Sequence, residues 1–158
     1  MNKIVIQNVV ATATLGTSID LLTIMKVFKN TEYRPKRFPG LVFRLKRPKT
    51  ATLIFTTGKL VCTGAKSSKL AKRAVKKVVK QLREADFIIN DMPEVEIQNI
   101  VASADFSSKV DLETAADILD NTMYEPEQFP GLIYRMVDPK TVLLLFATGK
   151  LVCTGAKS

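Results

Sequence analysis

The sequence predicts an α+β fold of two tandem repeats with pseudo-two-fold symmetry, each an antiparallel sheet with helices on one face. The first observation is an internal repeat, because the eleven residues 57–67 recur unchanged as 148–158. The second is that an offset of 91 aligns residues 4–67 with 95–158 without a gap, at 34 identities in 64 positions. The third is that strand-like alternation and helical periodicity follow one another in the same order in both copies.

The elements of the first copy follow from these periodicities. Alternating, β-branched or turn-bounded stretches predict strands at residues 4–13, 33–35, 41–46, 51–57 and 59–65. Apolar residues at helical spacing predict a helix over 19–28, capped by Ser18 or Asp20, and a long amphipathic helix over 67–83. Residues 110–119 repeat the short helix in the second copy.

The repeat sets the predicted domain organisation. We expect residues 1–91 to form the first repeat, with one strand, a helix, four strands and a long helix. Residues 92–158 form the second repeat, which lacks the final long helix because the sequence stops where that helix should begin. We expect a shortened or incompletely recorded chain to account for the difference.

Composition limits the class of protein. The longest apolar run, 142–147, is far too short to cross a bilayer, and the N-terminus has no signal-peptide pattern, so we expect a protein that stays inside the cell and meets no membrane. Cys62 and Cys153 occupy the same repeat position, with no C-x-x-C motif and no histidine in the chain. We therefore expect core thiols, no metal site and no cofactor.

Charge divides the two repeats. Residues 1–91 hold 19 Lys and Arg against 5 Asp and Glu, a net charge of +14, whereas residues 92–158 hold 5 against 10, a net charge of −5. The first repeat is therefore expected to meet a polyanion. The second is expected to meet a basic protein, or to help fix the orientation in which the molecule is bound.

Strand alternation predicts which side chains lie away from the helices. In the first strand Asn8 and Val10 share a face with Thr12. In residues 59–65 alternation places Leu60, Cys62 and Gly64 toward the core, and Lys59, Val61 and Thr63 on the other face. Because both helices are expected on one face, the opposite face should be bare.

Four phenylalanines recur symmetrically near that bare face. Phe38 and Phe129 stand beside Pro-Gly turns, and Phe55 and Phe146 lie in predicted strands. Strand phenylalanines are usually core residues, but the turn positions and the bare face weaken that interpretation here.

The side chains expected around the phenylalanines are small, apolar or neutral hydrogen-bonding groups, which suit a surface that reads a minor groove. They are Asn8, Val10, Val61, Thr63, Asn99, Val101, Val152 and Thr154. Basic residues at the margins would meet phosphates, although each alone is an ordinary surface charge. They are Arg37, Arg44, Lys49, Lys59, Arg135, Lys140 and Lys150.

Several motifs together resemble a known family. They are Gln-Asn followed by a small-residue strand, Lys36 to Gly40, Tyr124 to Arg135, and the doubled Thr-Gly-Lys-Leu-Val-Cys-Thr-Gly-Ala-Lys. The chain resembles, over nearly its whole length, the conserved core of the TATA-box-binding proteins. Because it has no long low-complexity N-terminal arm, the sequence resembles the archaeal form of this general transcription initiation factor.

The resemblance implies a saddle whose concave, curved sheet sits on the minor groove of an A·T-rich element, with the helices on the convex face. TATA-box-binding proteins are themselves the standard example of kinking DNA with apolar wedges. It implies that Phe38 with Phe55, and Phe129 with Phe146, are the wedges. The asparagines and threonines named above would hydrogen-bond the central minor-groove acceptors, and the four valines would pack on base edges.

The resemblance also implies partners. Transcription factor B would bind the second-repeat turn through Glu125, Glu127 and Gln128, although a merely solvated acidic loop is the alternative. Assembly of the preinitiation complex with the RNA polymerase machinery would follow, and the free protein is a candidate homodimer. The site in the cell would be the cytoplasm (nucleoid) for an archaeal protein or the nucleus for a eukaryotic one.

Other classes fit less well. The sequence has no phosphate-cradling Gly-rich loop, no metal-spaced cysteines and no converging carboxylate pair, so we expect no enzyme activity. A nucleic-acid-gripping domain of a repair enzyme or ribonuclease is the main alternative, but it would need a catalytic domain for which this chain has no room. A basic RNA-binding protein would leave the paired phenylalanines unexplained. The basic helix is either a solvated face or a docking site for acidic regulators or for flanking DNA.

Overall fold

The computed structural model describes residues 3–158. They form two compact units, one of residues 8–98 and one of residues 99–158 with the short segment that ends at Gln7. The boundary predicted between residues 91 and 92 divides the two sequence repeats, and it stays a prediction. Among the described residues no helix is both long and apolar enough to span a bilayer.

The first repeat contains seven of the described elements, which are five strands of one sheet and two helices. In chain order they are β1 (Val5–Thr14), α1 (Leu21–Val27), β2 (Thr31–Glu32), β3 (Leu41–Lys46), β4 (Lys49–Ile54), β5 (Lys59–Ala65) and α2 (Ser68–Glu84). The strands are antiparallel and lie in the order β2-β3-β4-β5-β1. This is the predicted succession of one strand, a helix, four strands and a helix.

The core of this unit lies between α2 and one face of the sheet. The apolar stripe of α2 is fully buried from Ala71 to Leu82, and it packs on β3, β4 and β5. Phe43, Ile54 and Leu60 on those strands have no exposed surface. Each such side chain stabilises the fold by about 1.5–3 kcal/mol relative to an exposed position.

The N-terminal ends of both helices are capped by local side chains. Asp20 caps α1, because its carboxylate accepts hydrogen bonds from the backbone N–H groups of Leu22 and Thr23. The hydroxyl of Thr23 donates to the same carboxylate, and these bonds hold the pKa of Asp20 below its ordinary value. Ser67 caps α2 by accepting from the N–H of Leu70 at 3.1 Å.

The second repeat carries the same elements up to its last strand. They are β6 (Glu96–Asp105), α3 (Leu112–Ile118), β7 (Thr122–Met123), β8 (Leu132–Met136), β9 (Thr141–Leu145) and β10 (Lys150–Ala156), with strand order β6-β10-β9-β8-β7. Asp111 caps α3 as Asp20 caps α1. No helix follows β10 in the part of the chain that the structure describes.

The two predicted core thiols differ in burial. Cys62 is fully buried beneath α2, and burial raises the pKa of its thiol. Cys153 is only half-buried, so the expectation of a second core thiol is wrong for it. The residue lacks the helical cover that Cys62 receives from α2.

Three local predictions are also wrong. The strand expected at residues 33–35 is β2 at Thr31–Glu32, because a turn begins at Arg34, whose carbonyl accepts from the N–H groups of Arg37 and Phe38. The strand expected to reach residue 57 ends at Ile54, so Phe55 lies just beyond β4. Gly64 does not share the core face with Leu60, because a bulge interrupts the alternation of β5.

Candidate nucleic-acid interface

In the first unit Asn8 and Thr63 are brought together on the sheet face away from α2. Asn8 lies in β1 and Thr63 in the neighbouring strand β5, and both are half-buried. The amide Nδ2 of Asn8 donates to Thr63 Oγ1 at 3.0 Å, and Asn8 Oδ1 accepts from the backbone N–H of Gly64 at 2.7 Å. The pair is therefore held in place by the protein before any ligand arrives.

The predicted valines lie on the same strands. Val10 alternates with the buried Val9 and Ala11 of β1, and Val61 pairs with Thr12 of β1 and Leu53 of β4. Both valines are half-buried, whereas residues of opposite parity are fully buried. This face presents short apolar side chains beside one hydrogen-bonding cluster.

The second unit repeats the arrangement. Asn99 Oδ1 accepts from the N–H of Gly155 at 2.6 Å, and Asn99 Nδ2 donates to Thr154 Oγ1 at 3.3 Å. Val101 and Val152 are half-buried on the adjoining strands β6 and β10. Each unit therefore builds its own copy of the predicted cluster.

In the first unit the predicted aromatic pair is in contact. The Phe38 and Phe55 rings meet edge to face, with centroids 5.8 Å apart and planes at 65°. Phe38 follows a turn and is 41% exposed, while Phe55 is half-buried at the end of β4. The rings lie over Gly40, where an added Cβ would come within 2.7 Å of Phe38 Cε2.

The second aromatic pair has nearly the same geometry. The Phe129 and Phe146 centroids are 5.9 Å apart with planes at 64°, and Gly131 lies beneath the rings as Gly40 does. In each compact unit, two phenylalanines are therefore already in contact at the end of a strand. Neither pair lies within the fully buried core.

All seven predicted phosphate contacts are exposed, which leaves them available to a ligand. Arg44 and Lys49 line one shallow cleft of about 280 Å³ together with Thr63 and Gly64. The structure therefore brings two basic residues beside the first hydrogen-bonding cluster. The other five are Arg37, Lys59, Arg135, Lys140 and Lys150.

The acidic turn predicted as a partner site is a short, ordered turn. Glu125, Glu127 and Gln128 are exposed, and the carbonyl of Glu125 accepts from the N–H groups of Gln128 and Phe129. In the first repeat the matching Arg34 instead pairs with Glu32 at 2.9 Å, on the surface. The two turns therefore share a backbone and differ in charge.

The basic side chains of α2 are mostly on its solvent side. Lys77 Nζ donates to the carbonyl of Arg47 at 2.7 Å, and Arg83 Nε donates to the carbonyl of Ile89 at 2.8 Å. These contacts tie the helix to neighbouring loops. Within residues 3–158 no cluster of three side chains could hold a metal ion.

Sequence reasoning missed four glycines that shape these sites. Gly40 and Gly131 give room to the phenylalanine pairs, and Gly64 and Gly155 hold the asparagines. The available signal was their recurrence at the offset of 91, but recurrence does not tell a turn glycine from one that orients a side chain.

Residues 3–85 and 94–158 match the profile of the family described as Transcription factor TFIID (or TATA-binding protein, TBP). The chain belongs to the TATA-binding protein family. Its resemblance to that family is thereby confirmed, and the two matched segments correspond to the two repeats.

Individual TATA-box-binding proteins are also similar to this chain. The TATA-box-binding protein of Methanothermobacter thermautotrophicus is 58% identical over 97% of this chain and 84% of the relative. That of Archaeoglobus fulgidus is 53% identical over 99% and 86%. The solved structure of Methanococcus jannaschii TBP superposes with a TM-score of 0.86 at 49% identity, covering 99% of this chain and 89% of that one. The predicted fold class is confirmed, and these relatives are archaeal.

Proposed function

We propose that this protein is a general transcription initiation factor that binds the minor groove of A·T-rich, TATA-like promoter elements and bends the DNA with paired phenylalanines. Membership of the TATA-binding protein family supports the role as a transcription initiation factor. Proteins of this family are DNA-binding transcription factors, not enzymes. The contact residues are our inference from geometry and sequence.

The observation that carries the minor-groove assignment is the Asn8–Thr63 cluster with its copy at Asn99 and Thr154. The A·T minor groove presents acceptors only, whereas a G·C pair adds the guanine amino donor. Neutral amide and hydroxyl donors therefore suit A·T pairs. The valines beside them leave no room for a guanine amino group.

The phenylalanine pairs supply the bend in this proposal. Two rings that already contact each other at a strand end form a rigid apolar wedge, which loses little side-chain freedom on binding. Insertion between base steps costs unstacking energy and is offset by the larger surface that bent DNA can contact. Phe38 with Phe55 would act at one end, and Phe129 with Phe146 at the other.

The seven basic residues named above would contact phosphates. They position the protein but carry no sequence information. The net charges of +14 for residues 1–91 and −5 for residues 92–158 give the two ends different fields, which would contribute to orientation on a promoter.

A binding experiment tests the groove assignment directly. Fluorescence anisotropy would compare duplexes carrying a TATA-like element, the same element with I·C pairs, and the element with G·C pairs. Inosine keeps the major-groove groups of guanine but lacks its amino group. We expect A·T and I·C duplexes to bind alike and the G·C duplex to bind at least about tenfold more weakly.

Two other outcomes would overturn the assignment. If I·C behaved like G·C, the major groove would be read. If all duplexes and a single-stranded RNA bound equally, the basic first repeat would be a general polyanion surface, as in the RNA-binding alternative. The variant Thr63→Val with Thr154→Val removes both hydroxyls at nearly constant volume, and it should weaken A·T binding by about tenfold.

We also propose that transcription factor B binds the turn of Glu125, Glu127 and Gln128, and that recruitment of the RNA polymerase machinery follows. Support comes from the exposed carboxylates on an ordered turn, where the first repeat has Arg34 and Lys36. The double variant Glu125→Arg with Glu127→Lys gives the second turn the residues that the first has at Arg34 and Lys36.

Gel shifts with archaeal transcription factor B would separate the two complexes. We expect the charge-reversed variant to form the binary DNA complex and to lose the ternary one. Asp117→Lys in α3 is the matched charge control and should keep both. Ternary assembly by the charge-reversed variant would exclude the turn as the partner site.

Two remaining proposals concern the free protein. Its archaeal relatives favour the cytoplasm, at the nucleoid, as its location. A homodimer of the free protein is tested by sedimentation equilibrium, in which added TATA-like duplex should convert dimer to a one-to-one complex. A monomer at all concentrations would exclude it.

A further inference from the structure

Each unit contains a bulge at the same place in its last strand. In the first unit Val9 pairs with Ala65 and Ala11 pairs with Cys62, so that Thr63 and Gly64 together oppose Val10. In the second unit Ile100 pairs with Ala156 and Ala102 with Cys153, which leaves two residues opposite Val101. Gly64 has φ +101° and Gly155 has φ +94°, which glycine adopts without the penalty that L side chains meet.

The bulge redirects one backbone N–H group in each unit. The N–H of Gly64 donates to Asn8 Oδ1 at 2.7 Å, and the N–H of Gly155 donates to Asn99 Oδ1 at 2.6 Å. A backbone N–H can only donate, so the atom it meets must be the amide oxygen and not the amide nitrogen. This contact therefore decides which way round each asparagine amide lies.

The fixed amide in turn fixes the polarity of the cluster. Asn8 Nδ2 uses one hydrogen on Thr63 Oγ1 at 3.0 Å, whereas the reverse bond from that hydroxyl to Asn8 Oδ1 would be 3.4 Å long. In the second unit the two corresponding distances are 3.3 Å and 3.4 Å, so the N–H of Gly155 alone sets the Asn99 amide. The second amide hydrogen and the hydroxyl hydrogen then remain for a ligand. An amide turned by 180° would place two N–H donors against each other and would offer an acceptor outward.

We propose that Gly64 and Gly155 are positioning residues for base specificity, whose N–H groups hold Asn8 and Asn99 with donors toward the minor groove. This inference rests on the proposed function. It explains why an asparagine, which can offer either a donor or an acceptor, would reject the guanine amino donor.

The space around the glycines separates this role from simple packing. An added Cβ at Gly64 would find its nearest atom, the carbonyl oxygen of Lys49, at 3.4 Å, and at Gly155 the nearest atom would be 3.6 Å away. These are ordinary van der Waals distances, so a Cβ would fit at both positions, and glycine is not needed there to avoid a clash. What requires glycine is the positive φ that turns the N–H toward the asparagine.

Cys153 makes a single-atom test practical. Residues 1–152 expressed as a thioester can be ligated to the synthetic hexapeptide 153–158, which starts with cysteine. One hexapeptide carries glycolic acid at position 155, which replaces the N–H by an ester oxygen. The control carries D-alanine there, which keeps the N–H and accepts a positive φ. The ligated natural sequence is the reference.

The measurement is a ratio of affinities. Each central A·T pair of the element is replaced in turn by 2,6-diaminopurine·T, which adds only a minor-groove amino group. For the natural and D-alanine proteins we expect about a tenfold loss at the pair beneath Asn99. For the ester protein we expect A·T binding to weaken and the ratio to fall clearly below tenfold, because the freed amide can turn its oxygen outward while exclusion of the amino group by the neighbouring valines remains.

The outcomes are distinct. An ester protein that binds more weakly but keeps the tenfold ratio would overturn the inference, because a purely structural glycine would affect both duplexes equally. Loss of the ratio in the D-alanine control as well would also overturn it. If the natural protein showed no preference for A·T at all, the proposed function would fail first. Thermal unfolding of all three proteins checks that each is folded.

Discussion

The ring of Phe38 meets the ring of Phe55 edge to face, with centroids 5.8 Å apart, and both rings lie so close to Gly40 that a methyl group there would have to displace them. An aromatic pair of this kind contributes about 0.5–1.5 kcal/mol beyond its buried area. The rings are therefore held together in the free protein.

Gly40→Ala should disturb the wedge more than the fold. The new Cβ would meet Phe38 Cε2 at 2.7 Å and Phe55 Cε1 at 3.0 Å, but these atoms are the ends of side chains that can move. We expect stability to fall by less than about 1 kcal/mol and DNA bending to weaken. Urea unfolding and a bending assay on the same variant measure the two effects.

Gly58→Ala is the matched comparison. Its Cβ would collide with the backbone carbonyl oxygen of Thr17, and its φ is +91°. We expect a loss of about 2 kcal/mol or more. Equal destabilisation by the two variants would contradict the distinction between a wedge glycine and a turn glycine.

Lys49→Ala should change the salt dependence of DNA binding without changing sequence preference. Each phosphate neutralised contributes about 0.9 to the slope of log K against log salt concentration. We expect the slope to fall by about one for this variant, which removes a side chain from the cleft shared with Thr63. Lys80→Ala, on the exposed side of α2, should leave the slope unchanged. A fall in the slope for this variant would show that the basic helix contacts DNA.

The two cysteines should react at different rates. Cys62 is fully buried and burial raises the pKa of its thiol, whereas Cys153 is half-buried. Labelling with iodoacetamide followed by peptide mapping should modify Cys153 at least about tenfold faster, since Cys62 must wait for local opening. In urea the rates should converge. Equal rates in the native protein would contradict the burial of Cys62 beneath α2.

Acid should weaken the cap of α1. The hydrogen bonds from Thr23 lower the pKa of Asp20 in the folded protein relative to the unfolded chain. Its contribution is therefore complete above the unfolded pKa, about 4, and is lost as the pH falls through the lower folded value. Asp20→Asn keeps a cap acceptor that does not titrate. Urea unfolding from pH 6 to pH 2 should show a smaller acid loss for the variant, and identical profiles would refute the effect.

The sequence predicted the elements whose periodicity is long and repeated. The limits of β3 and β5 are as predicted, and α2 is offset by only one residue at each end, because alternation or a seven-residue apolar stripe determines these elements. Short elements carry too little pattern to fix their limits. β2 has two residues, too few to show a period, and the turn beginning at Arg34 displaced the prediction by two positions.

The candidate site was predictable as a set of residues but not as a geometry. Strand parity placed Asn8, Val10, Val61 and Thr63 on one face, and the structure places them there. Parity also put Gly64 on the opposite face, since a bulge adds a residue without leaving a mark in the hydrophobic pattern. The direction of an N–H group and the contact of two rings depend on backbone angles that composition does not encode.

Fluorescence transfer across a short, doubly labelled TATA-like duplex tests the central claim most directly. The proteins compared are the natural chain, Phe55→Ala with Phe146→Ala, and Phe106→Ala, which removes a phenylalanine that is 42% exposed and lies outside both pairs. We predict that the natural chain and the Phe106 variant bend the A·T duplex, and that the double variant binds it without the bend. A double variant that bends the duplex fully, or a natural chain that binds without bending, would contradict the account.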